Sequence, residues 1–89
     1  MTSTAAVEAV WRIESARLTA SLARLTGDFA SAEDLAQDAF EIALVQWARD
    51  GIPAHPGSWL MATAKHRAIH LIRRRGSYDA KLRELVPRP

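Results

Sequence analysis

The chain has 89 residues, enough for one small domain with a thin core. Apolar residues make up 48 % and charged ones 25 %, with four Gly and four Pro, which excludes a disordered tail or a low-complexity linker. The net charge of +2 conceals a split: residues 1–50 carry four basic and eight acidic side chains, net −4, and residues 51–89 carry eight basic and two acidic, net +6. A basic end of this kind suits nucleic acid, although an ordinary solvated face reads the same way. The absence of cysteine excludes a disulfide staple, a thiolate metal site and a thiol nucleophile. No apolar run is long enough to span a membrane. The first residues lack the basic head and apolar centre of a signal peptide, so a cytoplasmic location is expected.

Glycines and prolines punctuate the chain. Gly27, Gly51 and Gly76 each follow a periodic segment, where a left-handed residue closes a helix. Pro53 and Pro56 share one short connection, and Pro87 and Pro89 close the chain. Over about 5–26, Val7, Val10, Trp11, Leu18, Leu22 and Leu25 form one stripe at helical spacing. A second helix, about 32–50, is expected to open on Ser31 as N-cap with Asp34 as a capping-box variant. Its wide apolar arc of Leu35, Ala36, Ala39, Phe40, Ile42, Ala43, Leu44 and Trp47 makes it the central helix. A third, about 58–75, has Ser58 as expected N-cap and would bury Leu60, Met61, Ala64, Ala68, Leu71 and Ile72. Arg73, Arg74 and Arg75 in its last turn suit the negative end of the helix dipole. A short fourth helix, about 78–86, has Tyr78, Leu82 and Leu85 in register. No segment alternates as a strand does. The expected fold is all-α, a small bundle of three main helices plus this short C-terminal one.

Function should lie on the faces the core leaves over. On the second helix Asp34, Gln37, Asp38, Glu41 and Val45 form an acidic stripe opposite the apolar arc; a merely solvated face would have the same pattern. On the third, Trp59, Ala62, Thr63, His66, His70 and Arg73 share the face opposite the buried one, flanked by Lys65, Arg67 and Arg74. Aromatic and imidazole rings stack on unpaired bases while cations neutralise phosphates. The competing account makes Trp59 a lid on the core and the histidines bystanders. His66 and His70 have the i, i+4 spacing of zinc ligands, but Arg67 stands where a metalloprotease carries its glutamate, and a third ligand is wanting; no metal or cofactor is expected. No phosphate loop, nucleophile elbow or Ser/His/Asp set is present, so an enzyme is excluded.

Ala32-Glu-Asp-Leu-Ala-Gln-Asp-Ala-Phe40, with Trp47 following at helical distance, resembles the second conserved region of bacterial RNA polymerase sigma factors. Pro56-Gly-Ser-Trp-Leu-Met-Ala-Thr-Ala-Lys-His-Arg-Ala-Ile-His-Leu-Ile-Arg-Arg-Arg75 resembles that family's promoter-melting, −10-reading helix, in the style of the extracytoplasmic-function (ECF) group. The resemblance covers about 5–75. It implies that the acidic helix docks on the clamp helices of the polymerase β′ subunit through Asp34, Gln37 and Asp38, with Leu44 as an apolar contact; Glu41 joins them on the stripe reading above. It also implies that Asp50, Gly51, Ile52, Pro53, Ala54, His55 and Pro56 form a specificity loop holding a base flipped out of the non-template strand. Strand-touching positions of the family fall on Met61, Lys65, His66, Ile69 and His70; Trp59, Thr63, Arg67, Arg73 and Arg74 join them on the residue reading above.

Two departures bear on specificity. His66 and His70 stand where many relatives carry asparagine, so base preference does not transfer. Ser58 precedes a single Trp59 where housekeeping sigma factors have two adjacent tryptophans, which suggests weaker strand separation and a stricter demand on promoter sequence. The family's −35-reading helix-turn-helix does not follow Arg75. The resemblance therefore implies a sigma region 2 domain, 1–76, and the start of an inter-domain linker, 77–89, and a longer parent factor is expected. An anti-sigma factor or a fused regulatory domain is a further partner that the resemblance allows. The alternative class is a helical protein-interaction module that binds no DNA. A duplex-reading helix-turn-helix is disfavoured, because its turn is three or four residues and this connection is longer and holds two prolines.

Overall fold

Reversals at Gly27 and Gly51 set the topology. In the computed structural model, which describes residues 3–85 apart from the side chains of 3, 77–79, 82, 83 and 85, the chain forms α1 (Ser3–Thr26), α2 (Phe29–Asp50) and α3 (Pro56–Leu85). The expected all-α bundle is present, and the helix boundaries differ from the expected ones in three places.

The first difference is the start of α2. Gly27, at φ 72°, turns the chain and donates its N–H to the Ala23 carbonyl at 2.8 Å, closing α1. Asp28, in extended conformation, is then the N-cap of α2. Its carboxylate accepts from the Ala30 N–H at 3.2 Å and from the Ser31 hydroxyl. Ser31 is therefore not the cap but a first-turn residue that donates to it, and Asp34 lies exposed beyond the capping turn. A carboxylate two residues after the last turn of α1 offers one oxygen to an orphan amide and the other to the Ser31 hydroxyl, which leaves that hydroxyl no capping task of its own.

Helix α3, likewise, starts two residues before Ser58. Pro56 opens it, which costs nothing because the first N–H of a helix has no partner anyway, and the first bond runs from the Trp59 N–H to the His55 carbonyl at 3.0 Å. Nor does α3 stop at Gly76. Among the glycines only Gly27 and Gly51 have positive φ, and α3 continues to Leu85, absorbing the separate fourth helix. Strong helix formers on both sides of Gly76, such as Arg74, Arg75, Ala80 and Lys81, offset the cost of about 1 kcal/mol for one helical glycine. The side chains of Tyr78, Leu82 and Leu85, and residues 86–89 with Pro87 and Pro89, lie outside the described ones.

The core consists of Val7, Leu18 and Leu22 from α1, Ala32, Leu35, Ala36, Ala39, Ala43 and Trp47 from α2, and Leu60, Ala64 and Ala68 from α3. Alanines on α2 and α3 allow close backbone approach, and two ring pairs fill the wider gaps. Trp11 lies against Phe40 with centroids 4.7 Å apart, and Trp47 meets Trp59 edge-on at 5.1 Å. Leu25, Leu71 and Ile72, expected in the core, are exposed at 49 %, 41 % and 56 %. No described residue after Ala68 is buried, so the basic end of α3 is exposed.

Two outcomes test these boundaries. The Ser31 hydroxyl, foremost, and the first-turn amides hold the Asp28 carboxyl below its ordinary value of 3.8. Its stabilisation is thus complete above the unfolded value and fades as pH falls through the lower folded one; Asp28→Asn should flatten the fall in melting temperature on that acid side. A Cβ at Gly76 meets nothing within 4 Å, so Gly76→Ala should raise helicity by circular dichroism and stability by up to about 1 kcal/mol. Unchanged helicity would mean that α3 breaks at Gly76.

Candidate nucleic-acid and protein interfaces

Because α2 spends only one arc on the core, its acidic stripe stays open. Asp34, Gln37 and Glu41 are exposed and Asp38 is half-buried. Val45, at the end of the stripe, is 68 % exposed. Leu44, expected as an outward contact, is half-buried and packs on the core, so only part of its surface is free.

The expected strand face of α3 divides in two. Ile42 of α2 joins Trp59, Ala62, Thr63, His66, Arg67 and His70 around one shallow groove of about 590 Å³. Met61, Ala62 and Lys65 line the other, of about 670 Å³, together with Ala54, His55 and Pro56 before them and Glu14, Arg17, Leu18 and Ser21 of α1. Ala62 borders both grooves and forms the ridge between them. His66 and His70 are exposed, as are Lys65 and Ile69. Trp59 is half-buried with its ring on Trp47, so its first task is packing. Arg73, Arg74 and Arg75 are exposed further along α3, outside both grooves.

The connection between α2 and α3 is shorter than the expected loop. Asp50 is the last residue of α2, and its carboxyl is drawn below the ordinary range by the Arg49 guanidinium, with which it pairs at 3.0 Å. Pro56 is the first residue of α3. The loop proper is therefore 51–55. Gly51, at φ 87° with its N–H on the Trp47 carbonyl at 2.9 Å, sends the chain outward, leaving Ile52, Ala54 and His55 exposed and Pro53 half-buried.

A contact absent from the sequence reading joins the two surfaces. Arg67 Nε lies 3.5 Å from Asp38 Oδ2, so the acidic stripe and the imidazole-bearing groove adjoin across the α2–α3 packing. The participation of α1 was also missed. Glu14, Arg17 and Ser21 lie at helical spacing beside Leu18, a signal that identifies a shared face without naming its partner. Among the described residues no three His, Asp or Glu side chains lie close enough to hold a metal ion, and no helix is long and apolar enough to cross a membrane.

The family model described as Sigma-70 region 2 matches residues 11–78, most of the chain and all the elements that shape both grooves. The chain belongs to the Sigma-70 region 2 family. Sigma region 2 takes part in promoter recognition and RNA polymerase binding and is a non-enzymatic part of transcription initiation. Its partners are therefore the RNA polymerase core and promoter DNA. No curated protein and no solved structure matches the sigma region 2 chain.

Packing and recognition are separable in this geometry. Trp59→Ala should lower stability by about 2 kcal/mol, less than a fully buried tryptophan would cost, whereas His66→Ala and His70→Ala should stay within about 0.5 kcal/mol of the parent. Chemical denaturation of the three variants decides it.

Proposed function

We propose that this chain is the −10-recognition and promoter-melting domain of an ECF-type sigma factor, docking on the β′ clamp helices and binding the non-template strand. The observation that carries the reading is that α2 and α3 each keep a face of opposite chemistry out of the core: carboxylates and an amide on α2, and imidazoles with free cations on α3. Asp34, Gln37, Asp38 and Glu41 meet the polymerase, with the exposed part of Leu44 beside them. The strand runs along α3, where Lys65, Arg73 and Arg74 attract phosphates, Arg67 is available once its Asp38 pair opens, and His66 and His70 stack on or hydrogen-bond to bases. Trp59, Thr63 and Ile69 give this track its apolar surface. The loop 51–55, flanked by Asp50 and Pro56 at the helix ends, is the specificity loop and captures a flipped base, with Pro53 and Pro56 limiting the entropy lost on ordering.

Binding energy here selects a DNA state. Stacking contributes on the order of 1–3 kcal/mol per base, comparable with the few kcal/mol of unstacking a base. Polymerase docking supplies the rest of the affinity, so the domain need not hold DNA tightly alone. The domain comprises 1–76, with 77–89 as linker, and an anti-sigma factor or a fused regulatory domain is a further partner. The setting is the cytoplasm.

Two measurements test this. Binding to short non-template strands should weaken with salt along a logarithmic slope of about −3, the value for roughly four phosphate contacts; a flat response would favour a protein-interaction module instead. Gln37→Ala and Asp38→Lys should weaken binding to a clamp-helix peptide at least about tenfold, a loss of about 1.4 kcal/mol, with melting temperature unchanged for Gln37→Ala and only slightly lowered for Asp38→Lys, which also breaks the Arg67 pair. His66→Ala with His70→Ala should weaken strand binding alone.

A further inference from the structure

The groove between α1 and the start of α3 contains a group that phosphate attraction does not call for. Arg17 and Lys65 are exposed at its mouth, and Leu18 and Met61 give it an apolar wall. Beside them stands the half-buried carboxylate of Glu14, which makes no hydrogen bond or ion pair with any described residue, the nearby Arg17 included. The Glu14 side chain lies over Gly57 in the first turn of α3, so close that a Cβ on Gly57 would stand 2.7 Å from Oε2 and 2.9 Å from Cδ. The missing side chain at Gly57 is what lets the carboxylate occupy this position. At about 670 Å³ the groove falls within the size range of small-ligand sites.

An ionised carboxylate only accepts hydrogen bonds, and beside a polyanion it is repulsive unless donors face it. A flipped nucleobase presents its unpaired Watson–Crick edge to the pocket that receives it. Cytosine, adenine and guanine bring an exocyclic amino group on that edge, and guanine adds a second, parallel N–H. Thymine brings two carbonyl oxygens around a single N–H, and those oxygens would oppose the carboxylate. We propose that this groove takes an unpaired base bearing an amino group, and that Glu14 of α1 is the residue that selects it against thymine. The inference rests on the strand-binding reading above and adds to it a specificity residue outside the loop and α3. The apolar wall covers the base face, Arg17 and Lys65 hold the flanking phosphates, and Glu14 reads the edge.

The test uses a labelled oligothymidine of roughly nine nucleotides, within the usual length of a single-strand site, and three counterparts with one central dC, dA or dG. Because the strand can slide, the register need not be known. The parent should bind each substituted strand about tenfold more tightly than oligothymidine, the scale of one good base contact. Glu14→Gln offers a donor as well as an acceptor and should bring the difference below about twofold with the salt slope retained. Gly57→Ala keeps the charge and favours the helix, but its Cβ displaces the carboxylate, so it should also remove the preference; it carries the test if Glu14→Gln melts early. Strand binding with a steep salt slope but no preference in the parent, or a preference surviving both variants, overturns the role of Glu14 alone. No binding to any strand, or binding indifferent to salt, overturns the strand-binding reading and this inference with it.

Discussion

The domain depends on the burial of one narrow arc of α2. Ala32, Leu35, Ala36, Ala39, Ala43 and Trp47 are the surface against which α1 and α3 both pack, and most are small. Small residues let the backbones approach closely, so the core closes with little side-chain volume and the rest of the α2 circumference stays free. Trp47 supplies the bulk that the alanines lack, at the end nearest the loop. Its ring, edge-on to Trp59, ties the start of α3 to the end of α2 and so fixes where the loop between them must project. Its indole N–H is buried with no hydrogen-bond partner among the described residues, a local cost on the order of 1 kcal/mol that the ring's apolar burial outweighs.

This economy explains why two interaction surfaces fit on so small a chain. A helix with one apolar arc has most of its perimeter to spare, and α2 and α3 both present theirs. The surfaces are not on opposite sides of the molecule; they meet at Arg67 and Asp38. That pair is exposed and long, so it contributes less than about 1 kcal/mol. Either partner can exchange it for a phosphate or a protein cation at little cost, and the charges of the two faces neutralise each other where they adjoin.

The exposed apolar residues follow from the same geometry. Past Ala68 no described residue of α3 is buried, and Leu71 and Ile72 lie largely on the helix surface. The arginines that follow are exposed on the same continuous helix, where a phosphate backbone can reach them without displacing the core, and Arg75 also adds its charge to the field at the Asp28 cap of α2.

Periodicity and charge in the sequence determined the helix class, the central position of α2, most of the core and the two residue sets left out of it, because a 3.6-residue repeat assigns each side chain to a face regardless of what packs there. The Sigma-70 region 2 membership was legible in the Asp34–Phe40 and Pro56–Arg75 motifs. Capping, helix length and the make-up of the grooves were decided in three dimensions. Asp28 took the cap because the turn at Gly27 brought one of its oxygens to the Ala30 amide and the other to the Ser31 hydroxyl. Gly76 stayed helical because nothing reversed the chain there. Leu71 and Ile72 have the spacing of core residues and stayed largely exposed. Glu14 and Arg17 belong to a groove whose other wall lies some forty residues away in sequence, a proximity that only the packing of α1 on α3 creates.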